Sequence, residues 1–141
     1  MAIMGSKHAT IVVEPRLLFR EGLKVLMADS VYHIVSDFAS AEEISRAPTM
    51  PDKPELVILG AQFADSALTE AVAIRKLLPK TKIALLYEST SPPDFPKLLG
   101  SQIDGCVPSS EPMNTLVKAL DLIMVGDVRT MVLPNVKRPV I

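Results

Sequence analysis

Residues 56–59 read Leu-Val-Ile-Leu, four consecutive apolar positions that decide the class of fold. A strand with one face in water alternates apolar and polar residues, whereas a strand covered on both faces is apolar throughout. Ile11–Val13 and Ile83–Leu86 show the same continuous pattern. Such strands are typical of a parallel sheet that lies between two layers of helices.

Two further short apolar runs, Tyr32–Val35 and Gly105–Val107, bring the number of predicted strands to five. The runs are too far apart for hairpins, and each interval has room for a crossover helix. Apolar residues recur at helical spacing within these intervals and after the last run: Phe19, Leu23 and Leu26; Ala67, Ala71, Ile74 and Leu78; Leu116, Ala119, Leu120 and Ile123. The alternation predicts an α/β fold, a doubly wound five-stranded parallel sheet in a (βα)5 sandwich.

Proline-rich stretches and the tail depart from this regular pattern. Ser45–Pro54 is predicted to be a long loop, and the prolines of Ser89–Pro96 predict a fourth helix that begins late and is short. After the last helix a brief β-like run, Thr130–Leu133, leads into a linker. The predicted organisation is an N-terminal extension over residues 1–8, one domain over 9–127 and a tail or linker over 128–141.

Composition narrows the range of functions. The chain has 141 residues, 48% of them hydrophobic, and its 15 basic and 16 acidic residues give a net charge of -1. That balance disfavours a nucleic-acid-binding surface, which needs a basic excess. The apolar runs are far shorter than the roughly 20 residues that span a bilayer, and no secretion leader is recognisable. We therefore expect a cytoplasmic domain without membrane contact.

The carboxyl ends of the strands, where doubly wound sheets bind ligands, offer little chemistry. Their acidic residues are Glu14 and Glu88, and one glutamate beside a proline makes a weak magnesium site. No glycine-rich phosphate loop follows any strand. Cys106 is the single cysteine, and no base is placed by the sequence to activate it. These residues predict no enzyme activity, no metal and no cofactor.

Four segments resemble the receiver domains of LuxR/NarL-type response regulators. Val13–Leu23 reads VEPRLLFREGL and is similar to the V-D-D-H-x-L-V-R-E-G-L that opens those domains. Pro54–Leu59 resembles the segment before the phosphoaccepting aspartate, and Pro79–Leu86 resembles the fourth strand and its lead-in. Ile103–Val107, together with Leu116–Asp127, resembles the fifth strand and the fifth helix. The resemblance covers about residues 9–134. It implies a flavodoxin/CheY-like fold and a role in two-component phosphorelay signalling and transcription regulation.

The functional positions of the family are changed in this chain. The two acidic residues that hold Mg²⁺ in receivers correspond to Glu14 and Pro15, and the phosphoaccepting aspartate corresponds to Gly60. The switch hydroxyl, the aromatic switch residue and the phosphate-binding lysine correspond to Tyr87, Cys106 and Ser109. The resemblance therefore predicts a pseudo-receiver that is neither phosphorylated nor dependent on Mg²⁺, because the nucleophile, the metal ligands and the cation are all replaced.

A pseudo-receiver would act through protein–protein contacts, with itself or with another signalling protein. The resemblance implies a helix-turn-helix DNA-binding domain on the C-terminal side in the full-length protein, and DNA contact only through that domain. Two alternatives stay open. One is phosphorylation of a displaced carboxylate, Glu55 or Asp65, and the other is a small-molecule-binding, flavodoxin-like protein.

The resemblance also directs attention to a homodimer through the first and fifth helices. Apolar residues of the fifth helix are candidates for that face: Leu116, Val117, Leu120, Ile123 and Met124. The alternative is that these side chains face the sheet, because helical periodicity is the same for a core face and for an interface.

Overall fold

The computed structural model describes residues 7–47, 53–62, 64–126 and 129–134. The strands are β1 His8–Val13, β2 Tyr32–Phe38, β3 Leu56–Ala61, β4 Lys82–Tyr87, β5 Gly105–Pro108 and β6 Thr130–Met131. The helices are α1 Leu17–Leu26, α2 Ala41–Arg46, α3 Ala64–Leu77, α4 Phe95–Leu99 and α5 Met113–Val125. Most of the predicted N-terminal extension, half of the loop predicted at Ser45–Pro54 and the end of the tail lie outside the described residues.

All the strand pairs are parallel, and the order across the sheet is β2-β1-β3-β4-β5-β6. This arrangement confirms the predicted doubly wound α/β fold. Among the described residues the sheet has six strands and not five, because Thr130 and Met131 of the tail pair with Gly105 and Cys106 of β5. The sequence indicates a β-like run at Thr130–Leu133 but not its partner, because the pairing depends on the free edge that β5 offers.

The core consists of two apolar layers, one on each face of the sheet. Every residue of β3 is buried, as the continuous apolar pattern predicts. Val57 and Leu59 pack on the face covered by α2, α3 and α4, whereas Leu56 and Ile58 pack on the face covered by α1 and α5. Because the strands are parallel, the carboxyl ends of β1, β3, β4 and β5 lie along the same side of the sheet, called the carboxyl edge below.

The fourth helix has only five residues, as the prolines predict. Asp94 begins it, because its Oδ1 accepts a hydrogen bond of 3.2 Å from the backbone N–H of Lys97. Pro96 occupies the first turn, where the missing N–H costs nothing. None of the helices among the described residues is long and apolar enough to cross a bilayer.

Candidate functional site

Glu14, the first residue after β1, lies with its carboxylate directly over Gly60 of the neighbouring strand β3. Its side chain is fully buried. A Cβ atom built on Gly60 would lie 1.8 Å from Glu14 Oε2 and 2.9 Å from its Cδ. These distances are far below van der Waals contact, so the Glu14 carboxylate occupies the space that any side chain at position 60 would need.

Arg16 surrounds that carboxylate with donors. Its backbone N–H and its Nε donate to Glu14 Oε1 at 3.0 and 2.6 Å, and its Nη2 donates to Oε2 at 3.3 Å. Its Nη1 donates to Glu88 Oε1, just after β4, at 2.6 Å. The hydrogen bond to Glu14 raises the pKa of Arg16 well above its usual value, and the bond to Glu88 adds to this while burial opposes it. We call Glu14, Arg16 and Glu88 the edge ion cluster.

Two further contacts fix the edge ion cluster in place. The guanidinium of Arg16 lies 4.7 Å from the centre of the Phe19 ring, within range of a cation–π interaction. Ser109 Oγ, after β5, donates to Glu88 Oε2 at 3.4 Å. Polar side chains thereby link the ends of β1, β4 and β5 across the carboxyl edge.

A second group of charges supports Glu14 from the side of α1 and β2. Arg20 Nη1 donates to the backbone oxygen of Glu14 at 2.7 Å, and its Nε lies 2.7 Å from Asp37 Oδ2. Lys24 Nζ lies 2.8 Å from the other oxygen of Asp37. These contacts join the first turns of α1 to the end of β2. Side chains of α1 and β2 thus help to hold the backbone where it leaves β1.

Of the remaining positions that the resemblance singled out, Pro15 lies between Glu14 and Arg16 and has no donor or ligand atom in its side chain. Tyr87 is buried, its hydroxyl donates to the backbone oxygen of Val132 at 2.7 Å, and its ring meets Phe95 edge to face at 6.1 Å. Cys106 is also buried, and burial raises the pKa of its thiol to about 11. Tyr87 and Cys106 belong to the core face of α3 and α4.

The residues at this edge do not fit a magnesium ion. Both oxygens of the Glu14 carboxylate are bonded to Arg16, and neither Pro15 beside it nor Gly60 beneath it has a side-chain oxygen that could bind the ion. Within the part of the chain that the structure describes, no group of three or more His, Cys, Asp or Glu side chains could hold a metal ion. The positive group bonded to the Glu14 carboxylate is the guanidinium of Arg16.

The sequence reasoning missed Arg16, the centre of this arrangement. The available signal was the spacing Glu14-Pro15-Arg16 beyond a strand end, with a second glutamate beyond β4. An acidic residue buried at such an edge needs a cation, and an arginine two residues away on the same loop is close enough to supply one.

The predicted dimer face on α5 is corrected by the structure. Leu116, Leu120 and Ile123 are buried against the sheet, and Val117 and Met124 are half-buried beside them. They belong to the core because α5 turns its most apolar stripe toward the strands. Other apolar side chains are exposed on the two helices that cover this face of the sheet: Leu17, Leu18, Val25 and Leu26 on α1, and Leu122 and Val125 on α5.

The fold is that of a receiver domain, the class that the sequence resemblance predicts. No protein-family model matches the sequence, and no curated protein does. Among solved structures, the isolated REC domain of RcsB from Salmonella enterica serovar Typhimurium is similar, with 18% identity over 89% of this chain and 94% of that chain and a TM-score of 0.69. A LuxR family DNA-binding response regulator from Silicibacter pomeroyi has 20% identity over 88% and 95% and a TM-score of 0.67.

Two further structures extend the comparison. A LuxR family two-component response regulator from Aurantimonas sp. SI85-9A1 has 22% identity over 89% of this chain and 90% of that chain, with a TM-score of 0.69. In a structure of two RcsB dimers bound to two parallel DNAs, the match has 18% identity over 89% of this chain but 64% of that chain, with a TM-score of 0.70. At these identities the likeness establishes the fold.

Proposed function

We propose that this chain is a receiver-like regulatory module of a two-component-type transcription regulator, that it is not phosphorylated, and that it acts through protein–protein contacts. The observation that carries the proposal is the position of Glu14. Its buried carboxylate fills the space over Gly60, the residue that aligns with the phosphoaccepting aspartate, and Arg16 neutralises it. The edge ion cluster thus occupies the site that phosphorylation would use.

Phosphoryl transfer to a carboxylate needs an accessible nucleophile and a cation that stabilises the charge of the transferred group. Gly60 provides no nucleophile. The Glu14 carboxylate is fully buried and bonded to Arg16, so attack would require breaking those bonds. Displaced phosphorylation is also disfavoured at Glu55. That residue precedes β3, at the opposite end of the strand from Gly60, and its Oε2 contacts His8 Nδ1 at 3.2 Å.

The absence of phosphorylation is tested by intact-mass spectrometry after incubation with Mg²⁺ and acetyl phosphate. We expect no added phosphoryl group, and we expect Mg²⁺ alone to leave the thermal midpoint of unfolding unchanged. A phosphorylatable receiver domain treated in parallel shows that the donor is active. A mass gain of one phosphoryl group that hydroxylamine removes would refute the proposal, and peptide mapping would then examine Asp65 and Glu55.

We infer that the module self-associates through its α1–α5 side. The six exposed apolar side chains named above lie on this side, and between the two helices runs a groove of about 360 Å³ whose lining includes Leu18, Phe19 and Met113. Exposed apolar side chains on two neighbouring helices beside a groove are candidates for an interaction site. The similar RcsB protein forms dimers on DNA.

Static light scattering at several concentrations tests the dimer. We expect the native chain to approach the mass of two chains as concentration rises, and Leu18→Asp to remain at the mass of one, because the charge would have to be buried in the interface. Val72→Asp is the matched control, since Val72 is an exposed apolar residue of α3 on the other side of the sheet. Equal behaviour of the two variants would contradict an α1–α5 interface.

We further propose that, in the full-length protein, this module is coupled to a C-terminal helix-turn-helix domain that contacts DNA. The support comes from the solved relatives. The Silicibacter protein is described as DNA-binding, and the match to DNA-bound RcsB leaves more than a third of that chain unaccounted for. The near-neutral charge of this chain agrees with a module that leaves DNA contact to another domain.

A further inference from the structure

The chain beyond α5 returns to the sheet and covers the outer edge of β5. The backbone N–H of Thr130 donates to the oxygen of Asp104 at 3.1 Å, and the N–H of Val132 donates to the oxygen of Cys106 at 2.9 Å. Met131 packs on one core layer and Val132 on the other. Residues 129–132, called the tail strand below, thereby occupy the row of backbone groups that an edge strand otherwise leaves open.

Two side chains anchor the tail strand, one from each direction. Arg129 Nη1 donates to the backbone oxygens of Leu98, in α4, and Ile103 at 2.6 and 3.2 Å. Tyr87 donates its hydroxyl to the oxygen of Val132 at 2.7 Å. The Tyr87 ring is itself held in the core against Phe95. The second anchor is therefore a rigid group that reaches out from β4 across β5.

The pairing of the tail strand is too short to hold by itself. β6 comprises two residues, whereas isolated strand pairs of even greater length are marginal in water. Each anchoring hydrogen bond contributes modestly to stability, whereas leaving a buried partner unsatisfied is costly. The anchors thus decide whether the tail strand is attached, and their small number makes detachment possible without unfolding of the sheet.

We propose that the tail strand is a releasable latch on the β5 edge, closed by Tyr87 and Arg129. In the closed state it fixes the direction in which the chain leaves the sheet after residue 132. In the open state the chain after residue 132 is no longer held in one direction, and the backbone groups along the outer edge of β5 are exposed. The five preceding strands remain paired. The latch goes beyond the proposed function and does not depend on the absence of phosphorylation.

Cys106 is a built-in reporter of the latch. It is the only cysteine of the chain, it pairs with Met131 of the tail strand, and its side chain is fully buried. Burial raises the pKa of its thiol to about 11, and the backbone N–H of Val132 offsets part of that rise. A thiol reagent near neutral pH therefore reacts when the thiol meets water, either through opening of the tail strand or through global unfolding.

The test compares the labelling rate of Cys106 by a disulfide reagent in the native chain, Tyr87→Phe and Tyr32→Phe. We expect Tyr87→Phe to react about tenfold faster, because it loses the hydrogen bond to Val132; a tenfold change corresponds to about 1.4 kcal/mol. Tyr32→Phe is the matched control, because its hydroxyl also makes one hydrogen bond, to Asp121 Oδ1 at 2.6 Å, and Tyr32 belongs to β2, at the opposite edge of the sheet from the tail strand. Arg129→Ala should accelerate labelling as Tyr87→Phe does.

Low concentrations of urea separate latch opening from global unfolding. Opening of four residues exposes little surface, so its rate should barely change, whereas labelling through the unfolded state rises steeply with urea. Two results would overturn the proposal. One is equal labelling in the two tyrosine variants, and the other is a urea dependence as steep as that of global unfolding. Both readouts are independent of any phosphorylation or dimerisation result.

Discussion

Gly60→Ala should lower the free energy of unfolding by about 2–3 kcal/mol, although it adds one methyl group to a strand. The new Cβ would lie 1.8 Å from Glu14 Oε2, and Glu14 cannot move away freely because Arg16 holds both of its carboxylate oxygens. The substitution must therefore displace the edge ion cluster or the backbone of β3. Urea denaturation measures the loss.

Gly22→Ala is the matched control for this substitution. A Cβ at Gly22, within α1, would meet no atom within 4 Å, so alanine should leave stability unchanged or raise it by up to about 1 kcal/mol through its better helix propensity. If the two alanine variants are equally stable, the carboxylate does not lie over Gly60 in solution.

A double-mutant cycle identifies the carboxylate as the cause. Glu14→Ala removes the group that the new methyl would strike, so Gly60→Ala should cost less in that background than in the native chain. We expect a coupling of more than about 1 kcal/mol, within the range seen for residues in direct contact. Additive effects would show that the penalty arises elsewhere.

Arg16→Ala should lower the free energy of unfolding by about 3 kcal/mol. Glu14 is fully buried, and in the part of the chain that the structure describes Arg16 is the one side chain that donates to its carboxylate. Removing the guanidinium leaves a buried charge with a single backbone N–H as its partner, and it also releases Glu88. Thermal and urea unfolding both measure the effect.

An exposed arginine provides the control for that experiment. Arg46 pairs with Glu42 one turn away on α2, and both side chains are about two-thirds exposed. Arg46→Ala should change stability by less than about 0.5 kcal/mol, because exposed ion pairs contribute little. Arg16→Ala combined with Glu14→Gln should recover part of the loss, since the buried group is then neutral. If Arg16→Ala behaves as Arg46→Ala does, the edge ion cluster does not stabilise the molecule.

The strands were predictable from the sequence because a strand buried on both faces consists of consecutive apolar residues. Residues 56–59 are apolar throughout, and the structure places them at the centre of the sheet between two helix layers. The short fourth helix was predictable for a similarly local reason, since Pro92, Pro93 and Pro96 restrict the backbone wherever they occur. Neither inference required knowledge of distant contacts.

Two features were not predictable in this way: which face of α5 is buried, and the pairing of the sixth strand with β5. Leu120 has the spacing of an interface residue as much as that of a core residue, and only the packing of α5 on the sheet shows that it is buried. Thr130 and Met131 become a strand because β5 has a free edge beside them. Both outcomes depend on where two elements meet, which local periodicity does not encode.

By itself, the sequence determined the class of fold, through its continuous apolar strands, and it put Pro15 beyond β1 and Gly60 in β3. The tertiary structure alone decided that the Glu14 carboxylate fills the space over Gly60. Arg16 and Glu88 are 72 positions apart, and the missing side chain at position 60 matters because β1 and β3 are neighbours in the sheet. Hydrogen bonds and steric exclusion act over a few ångströms, so only the fold could bring these atoms within reach of one another.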